Sequence, residues 1–171
     1  SSNSINARRM NSIRLPGSIR LLNLSRNNLS NEKGIELSID FIQQVNTSLQ
    51  VLDLSNTHFR VANSASFFAP LKQLQRLYLD WNELVTIETN SFPSNILTVN
   101  TISLSHNRFE SVPNHILLSR FAPDLKCLCL SHNQIKQIQA NALHSLNKLE
   151  KLNLSNNRIS VIESNAFSGL S

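Results

Sequence analysis

An α/β solenoid, with a curved parallel sheet built from one short strand per turn, is the fold class that these 171 residues predict, on three observations. The first is composition: Leu, Asn and Ser number 27, 23 and 25. Asn and Ser favour turns, so their abundance beside Leu implies turns recurring at short intervals between short apolar segments. The second is an apolar pattern that returns at a nearly constant spacing. The third is a balance of 40% hydrophobic and 16% charged residues, enough to bury a core. With only 3 Gly and 2 Cys, a collagen-like chain and a disulfide-stapled miniprotein are both excluded.

Aligned on Leu-x-Leu-x-x-Asn-x-Leu, the chain runs from Leu22 to Leu29, Leu77 to Leu84, Ile102 to Phe109, Leu128 to Ile135 and Leu152 to Ile159. A sixth copy, Leu52 to Phe59, carries Thr57 where the others carry Asn27, Asn82, Asn107, Asn133 and Asn157. An apolar residue stands three positions ahead of each copy: Ile19, Leu49, Leu74, Val99, Leu125 and Leu149. The Asn positions, with Thr57 read as one of them, are spaced 30, 25, 25, 26 and 24 residues apart. This string, Leu-x-x-Leu-x-Leu-x-x-Asn-x-Leu, resembles the leucine-rich repeat family over essentially the whole chain. Asn3 and Ile5 lie 24 residues before Asn27 and Leu29, and Ile162, Phe167 and Leu170 look like the back half of a repeat. The expected organisation is a solenoid fragment over residues 1–171, with six strand-bearing repeats, a partial N-terminal repeat and no caps.

The physical reading of each repeat is independent of that resemblance. Alternation in the Leu-x-Leu stretch makes a strand with Leu22 and Leu24, for example, on one face and Asn23 on the other. Stacked strands form a parallel sheet, and the return segments cover its apolar face with Ile87 and Phe92, Ile138 and Leu143, or Ile162 and Phe167. No repeat buries this surface alone. The Asn column serves the turn after each strand, where an amide supplies a donor and an acceptor to buried backbone groups. Thr57 can do only part of this, so Thr57→Asn is expected to be neutral or stabilising.

The first interval is different, with apolar residues at 35, 37, 39, 41, 42 and 45 spaced as in an amphipathic helix from about Ile35 to Val45. The expected convex side is thus mostly irregular, with one helical repeat. This segment is similar to the long repeats of ribonuclease-inhibitor-type cytosolic proteins. The others, with a late Phe, look like the "typical" 24-residue class of extracellular proteins and receptor ectodomains, such as Toll-like, chaoptin-like and Slit-like chains. The majority class implies an extracellular or cell-surface location, with a cytoplasmic one as the alternative.

The family resemblance implies a non-catalytic protein-interaction module that binds a protein ligand or co-receptor on its concave face. The alternatives are a cytosolic sensor or inhibitor-type regulator, and a structural spacer. Exposed strand positions read as columns. One runs Asn23, Asp53, Tyr78, Ser103, Cys129, Asn153; the position before the Asn column runs Arg26, Asn56, Trp81, His106, His132, Asn156. Trp81 and Tyr78 are the only Trp and Tyr, on outward positions of one repeat with Arg76 and Asp80 beside them. Trp, Tyr and Arg are enriched in interface hot spots, which marks Arg76, Tyr78, Asp80, Trp81, His106 and His132 as the expected partner-binding residues. His106 and His132 share a column in adjacent repeats; they suit an acid-sensitive switch, although any polar residue fits there.

Cys127 and Cys129 project to one face of a strand, about 6.5 to 7 Å apart at Cα, at or beyond the edge of disulfide geometry. They lack the Cys-x-x-Cys spacing of structural zinc, so no metal site and no cofactor is expected. No Gly-rich phosphate loop, paired carboxylates or nucleophile and base grouping stands out, so no catalytic residue and no enzyme activity is expected. Four glycosylation sequons occur, at Asn23, Asn28, Asn46 and Asn153, of which Asn46 and Asn28 look most accessible. The net charge is +5, with Arg8, Arg9, Arg14, Arg20 and Arg26 ahead of any acidic residue, which leaves an anionic glycan or nucleic acid as a secondary partner class. No apolar run has the 18 or more residues of a membrane span.

Overall fold

Short strands follow one another along the chain as the repeat spacing requires. The computed structural model describes residues 12–31, 34–35, 39–59, 68–87, 98–113 and 124–170. In order these form β1 (Leu21–Asn23), β2 (Ser30–Asn31), β3 (Gly34–Ile35), α1 (Ile39–Gln43), β4 (Val51–Asp53), β5 (Arg76–Tyr78), β6 (Thr101–Ser103), β7 (Cys127–Cys129), β8 (Gln137–Ile138), β9 (Lys151–Asn153) and β10 (Val161–Ile162). Six of them, in the order β1-β4-β5-β6-β7-β9, make one parallel sheet. The register places Leu22, Leu52, Leu77, Ile102, Leu128 and Leu152 opposite one another.

The pairing continues beyond the strands at both ends. Gln50, Gln75, Asn100, Lys126 and Glu150 each donate a backbone N–H to the preceding coil, while Leu24, Leu54, Leu79, Leu104 and Leu130 donate to the following one. The central strand residues and the apolar residues on either side of them form a continuous core, with Leu49, Leu52, Leu74, Leu77, Leu79, Val99, Leu104 and Leu130 wholly buried. Burial of this kind stabilises by roughly 25 cal/mol per Å² of apolar surface, and each coil obtains it only from its neighbours. On the opposite side β8 and β10 pair in parallel, a second, shorter ladder between the last two coils.

Two expectations are corrected. Among the described residues the helix of the first interval is α1, five residues from Ile39 to Gln43, followed by turns to Ser48. Gly34 and Ile35 instead pair antiparallel with Asn31 and Ser30, which removes the first turn from any helix. The apolar face is nevertheless used, since Phe41, Ile42 and Val45 are buried; Leu37 lies outside the described residues. Ile87, Ile138 and Leu143 cover the core, but Ile162 and Phe167 are exposed, because the last coil has a neighbour on one side only. Phe92 lies outside the described residues.

Candidate functional site

The polypeptide turns sharply after each sheet strand, and the residue ahead of the Asn column absorbs the turn. Arg26, Asn56, Trp81, His106, His132 and Asn156 all have positive φ, between 53° and 59°. Asn accepts this left-handed conformation readily, whereas bulky side chains do so at a cost of order 1 to 3 kcal/mol, and only where the surroundings over-determine it. Here the N–H groups of Arg26, Asn56, Trp81, His106 and His132 donate to the carbonyls of Ser55, Asp80, Ser105, Ser131 and Ser155 in the next coil, at 2.8 to 3.0 Å. Asn56 and Asn156 in this column were the sequence signal for that geometry.

Holding the same backbone conformation at the same height of each coil aligns the side chains in a row. The Trp81 and His106 rings stack at 3.7 Å between centroids, 9° apart in plane, and His106 stacks on His132 at 4.0 Å and 10°. His132 Nε2 then meets Asn156 Nδ2 at 3.0 Å. Trp81 keeps 57% of its surface exposed. Partial burial under the indole, and then repulsion from His132, push the His106 imidazole below its ordinary value of 6.5, with Asp80 pulling the other way.

Beneath the stack runs a polar floor. Asp80 Oδ1 accepts from Ser103 Oγ at 2.6 Å and from Ser105 N at 2.7 Å. Burial still raises the Asp80 carboxyl above 3.8, assisted by the charge of Asp53 and opposed by these hydrogen bonds and by His106. Ser105 Oγ in turn lies 2.9 Å from Cys129 Sγ, and Ser131 Oγ donates to Ser105 Oγ at 3.0 Å. Burial pulls the Cys129 thiol up, but hydrogen bonds with Ser105 and Ser131 outweigh it and leave the thiol below 9.0. Cys127 and Cys129 are both free thiols. Among the described residues no group of three or more His, Cys, Asp or Glu could hold a metal ion.

Among the described residues, Tyr78 and Trp81 line different recesses. Tyr78 lines a depression of about 500 Å³ over β5 to β9, with Cys127, Cys129 and Lys151. Trp81 lines another of about 490 Å³ on the N-terminal side, with Arg26, Asp53, Asn56 and Asp80. Arg76 is exposed at the start of β5. Arg14, Arg20 and Arg26 are exposed, and Arg8 and Arg9 lie outside the described residues.

The Asn column stitches coils together from inside. Asn82 Oδ1 accepts from Thr57 N and Phe59 N, both at 3.0 Å, and Asn82 Nδ2 donates to Leu54 O at 2.8 Å. Asn107 accepts from Asn82 N and Leu84 N and donates to Leu79 O and Leu104 O. Asn133 and Asn157 reach Phe109 N and Ile135 N in the same manner, and Asn27 donates to Leu24 O. Thr57 Oγ1 donates to Leu54 O of its own coil at 2.7 Å and lies 3.3 Å from Asn82 Oδ1 of the next, and Leu29 N of the preceding coil is satisfied by the Thr57 carbonyl instead. Of the sequon asparagines, Asn23, Asn28 and Asn153 are exposed and Asn46 is half-buried. Asn23 and Asn153 each accept the backbone N–H two residues on.

A family model described as leucine rich repeat matches residues 97–159 and 123–171. Human leucine-rich repeats and immunoglobulin-like domains protein 2 is 34% identical over 121 residues, 71% of this chain and 11% of that protein. Mouse nephrocan is 30% identical over 146 residues, 83% of this chain and 27% of that protein. The chain thus spans about a quarter or less of the length of these two relatives. The crystal structure of the APL1 leucine-rich repeat domain superposes with a TM-score of 0.61 at 21% identity, over 78% of this chain and 34% of that one, a likeness of fold. Family, register and fold agree: the chain belongs to the leucine-rich repeat family.

Proposed function

We propose that this solenoid is a non-catalytic interaction module of an extracellular or cell-surface ectodomain, which binds a protein partner on its concave face through Trp81 and Tyr78. Arg76, Asp80, His106 and His132 complete the contact. The observation that carries this reading is Trp81 itself. A Trp in a left-handed turn, 57% exposed and backed by an imidazole stack, is a side chain that folding does not require and a partner gains by desolvating. Support for the ectodomain comes from the repeat lengths near 24 and from a relative whose name joins leucine-rich repeats to immunoglobulin-like domains.

The test uses a partner captured by photo-crosslinking from position 78. Trp81→Asn keeps a residue suited to the turn, as at Asn56 and Asn156, and should weaken binding by about 2 kcal/mol or more on the hot-spot scale. On the opposite face, Lys136→Ala removes only an exposed ion pair with Glu110 and should leave affinity unchanged. Normal binding by Trp81→Asn together with loss in convex substitutions would move the contact off the concave face.

A further inference from the structure

The stack of rings is closed at one end and open at the other. His106 covers one face of Trp81, so the exposed part of the indole looks toward the preceding coil, where the column residue is the short Asn56. Arg26 stands one coil further on, and all three line the recess of about 490 Å³. Two strand spacings, about 9.6 Å, separate the Arg26 and Trp81 positions. That gap has room above Asn56 for one planar group at stacking distance from the indole.

The floor of the gap decides what that group is. Asp53 and Asp80 line it, and among the described residues each uses only Oδ1, for Ser55 N in one case and for Ser103 Oγ and Ser105 N in the other. Neither forms an ion pair among the described residues, and Arg26 forms none either. Two carboxylates against one guanidinium leave the recess with one uncompensated negative charge, although the chain as a whole carries +5. The open indole face attracts cations, and a guanidinium is both planar enough to stack and equipped with a fork of N–H donors that matches carboxylate oxygens. A neutral aromatic ring would stack equally well but would leave the Oδ2 atoms of both carboxylates desolvated without a donor.

We propose that the recess between Trp81 and Arg26 is a subsite for an arginine side chain of the protein partner, stacked on the indole and bonded to Asp53 and Asp80. The proposal rests on the concave-face reading and names the chemistry of its central contact. Because Trp81 is the only Trp, its fluorescence reports the subsite directly.

The experiment titrates the full chain with the capped tripeptide acetyl-Gly-Arg-Gly-amide, and with versions carrying citrulline or tyrosine in place of arginine. The arginine peptide should give a saturable change in Trp81 emission, and the neutral, isosteric citrulline peptide should bind at least about tenfold more weakly. Asp53→Asn, which keeps the Oδ1 acceptor for Ser55 N, should reduce arginine-peptide affinity by a similar factor. Arg26→Ala, which removes the one cation set against the two carboxylates, should strengthen it. Equal binding of the citrulline peptide, preference for the tyrosine peptide, or no saturable signal with any of them overturns the proposal. Arginine-peptide binding at the recess alongside a partner insensitive to Trp81→Asn would retain the subsite and remove the concave-face function.

Discussion

At the scale of single residues, the inward Asn and the outward residue beside it solve opposite problems created by one turn. Asn107 is 6% exposed and its amide bonds five backbone groups in two coils, so Asn107→Ala strands buried donors and acceptors. The change should cost about 1 to 3 kcal/mol in chemical denaturation, and Asn133→Ala a similar amount. Losses below about 0.5 kcal/mol at both sites would mean that water takes over the amide's bonds. On the outward side the titration of His106 is diagnostic. Its folded value lies below 6.5, so between that value and 6.5 the unfolded chain binds more protons than the folded one. The stability it contributes is complete above 6.5 and is lost as pH falls through the folded value. NMR titration should place His106 below 6.5, and His106→Asn should flatten the fall in melting temperature across that window. An unshifted imidazole would contradict the stack. Asp80 acts with opposite sign in its own range, since a carboxyl raised above 3.8 loses its contribution as pH climbs through the folded value.

At the scale of elements, the first repeat shows how local pattern and tertiary demand diverge. The apolar spacing from residue 35 to 45 suits a helix, yet the ladder of Ser30 and Asn31 with Ile35 and Gly34 takes the chain first and leaves α1 five residues. The core needs Phe41, Ile42 and Val45 in place, and one turn and a half of helix suffices for that. The same repeat explains Thr57. Its carbonyl already satisfies Leu29 N, and the side chain is fully enclosed, so the expectation that Asn would fit better is revised. Thr57→Asn should now cost about 1 kcal/mol or more through overpacking, read as a lower denaturation midpoint. A raised midpoint would show that the site has slack for the longer amide. Exposed ion pairs between successive coils, Glu83 with Arg108, Glu110 with Lys136, Lys126 with Glu150 and Lys148 with Asp124, add charge complementarity but little stability.

At the scale of the molecule, stacking distributes stability between neighbouring coils. Val161, Ile162 and Phe167 of the last coil are exposed, as is Leu21 in β1 at the other edge of the sheet. Joining a capping repeat after residue 171 should raise the melting temperature, because it covers Ile162 and Phe167 as Ile138 and Leu143 are covered one coil earlier. An unchanged melting temperature would mean that the last coil gains nothing from a neighbour. Passage through a secretory pathway should add glycan, first at Asn28, which is exposed and not on the sheet face, and next at the half-buried Asn46. Peptide mapping that finds all four sequons bare in the secreted protein would count against the ectodomain.

The repeated Leu-x-Leu pattern by itself determined the fold class, the six strands and their register, because a period of 24 to 30 residues allows one solution in which every coil buries its leucines on the next. Reading the columns also put Trp81, His106 and His132 in one file. What only the tertiary structure decided is how that file is used. The left-handed turn has no signature in a Trp or a His, and the ring stack, the split between the Tyr78 and Trp81 recesses and the open slot over Asn56 depend on coil spacing and side-chain torsions. Periodicity specifies which residues are neighbours, whereas the contacts of exposed side chains across coils arise from three-dimensional packing, which a one-dimensional pattern does not carry.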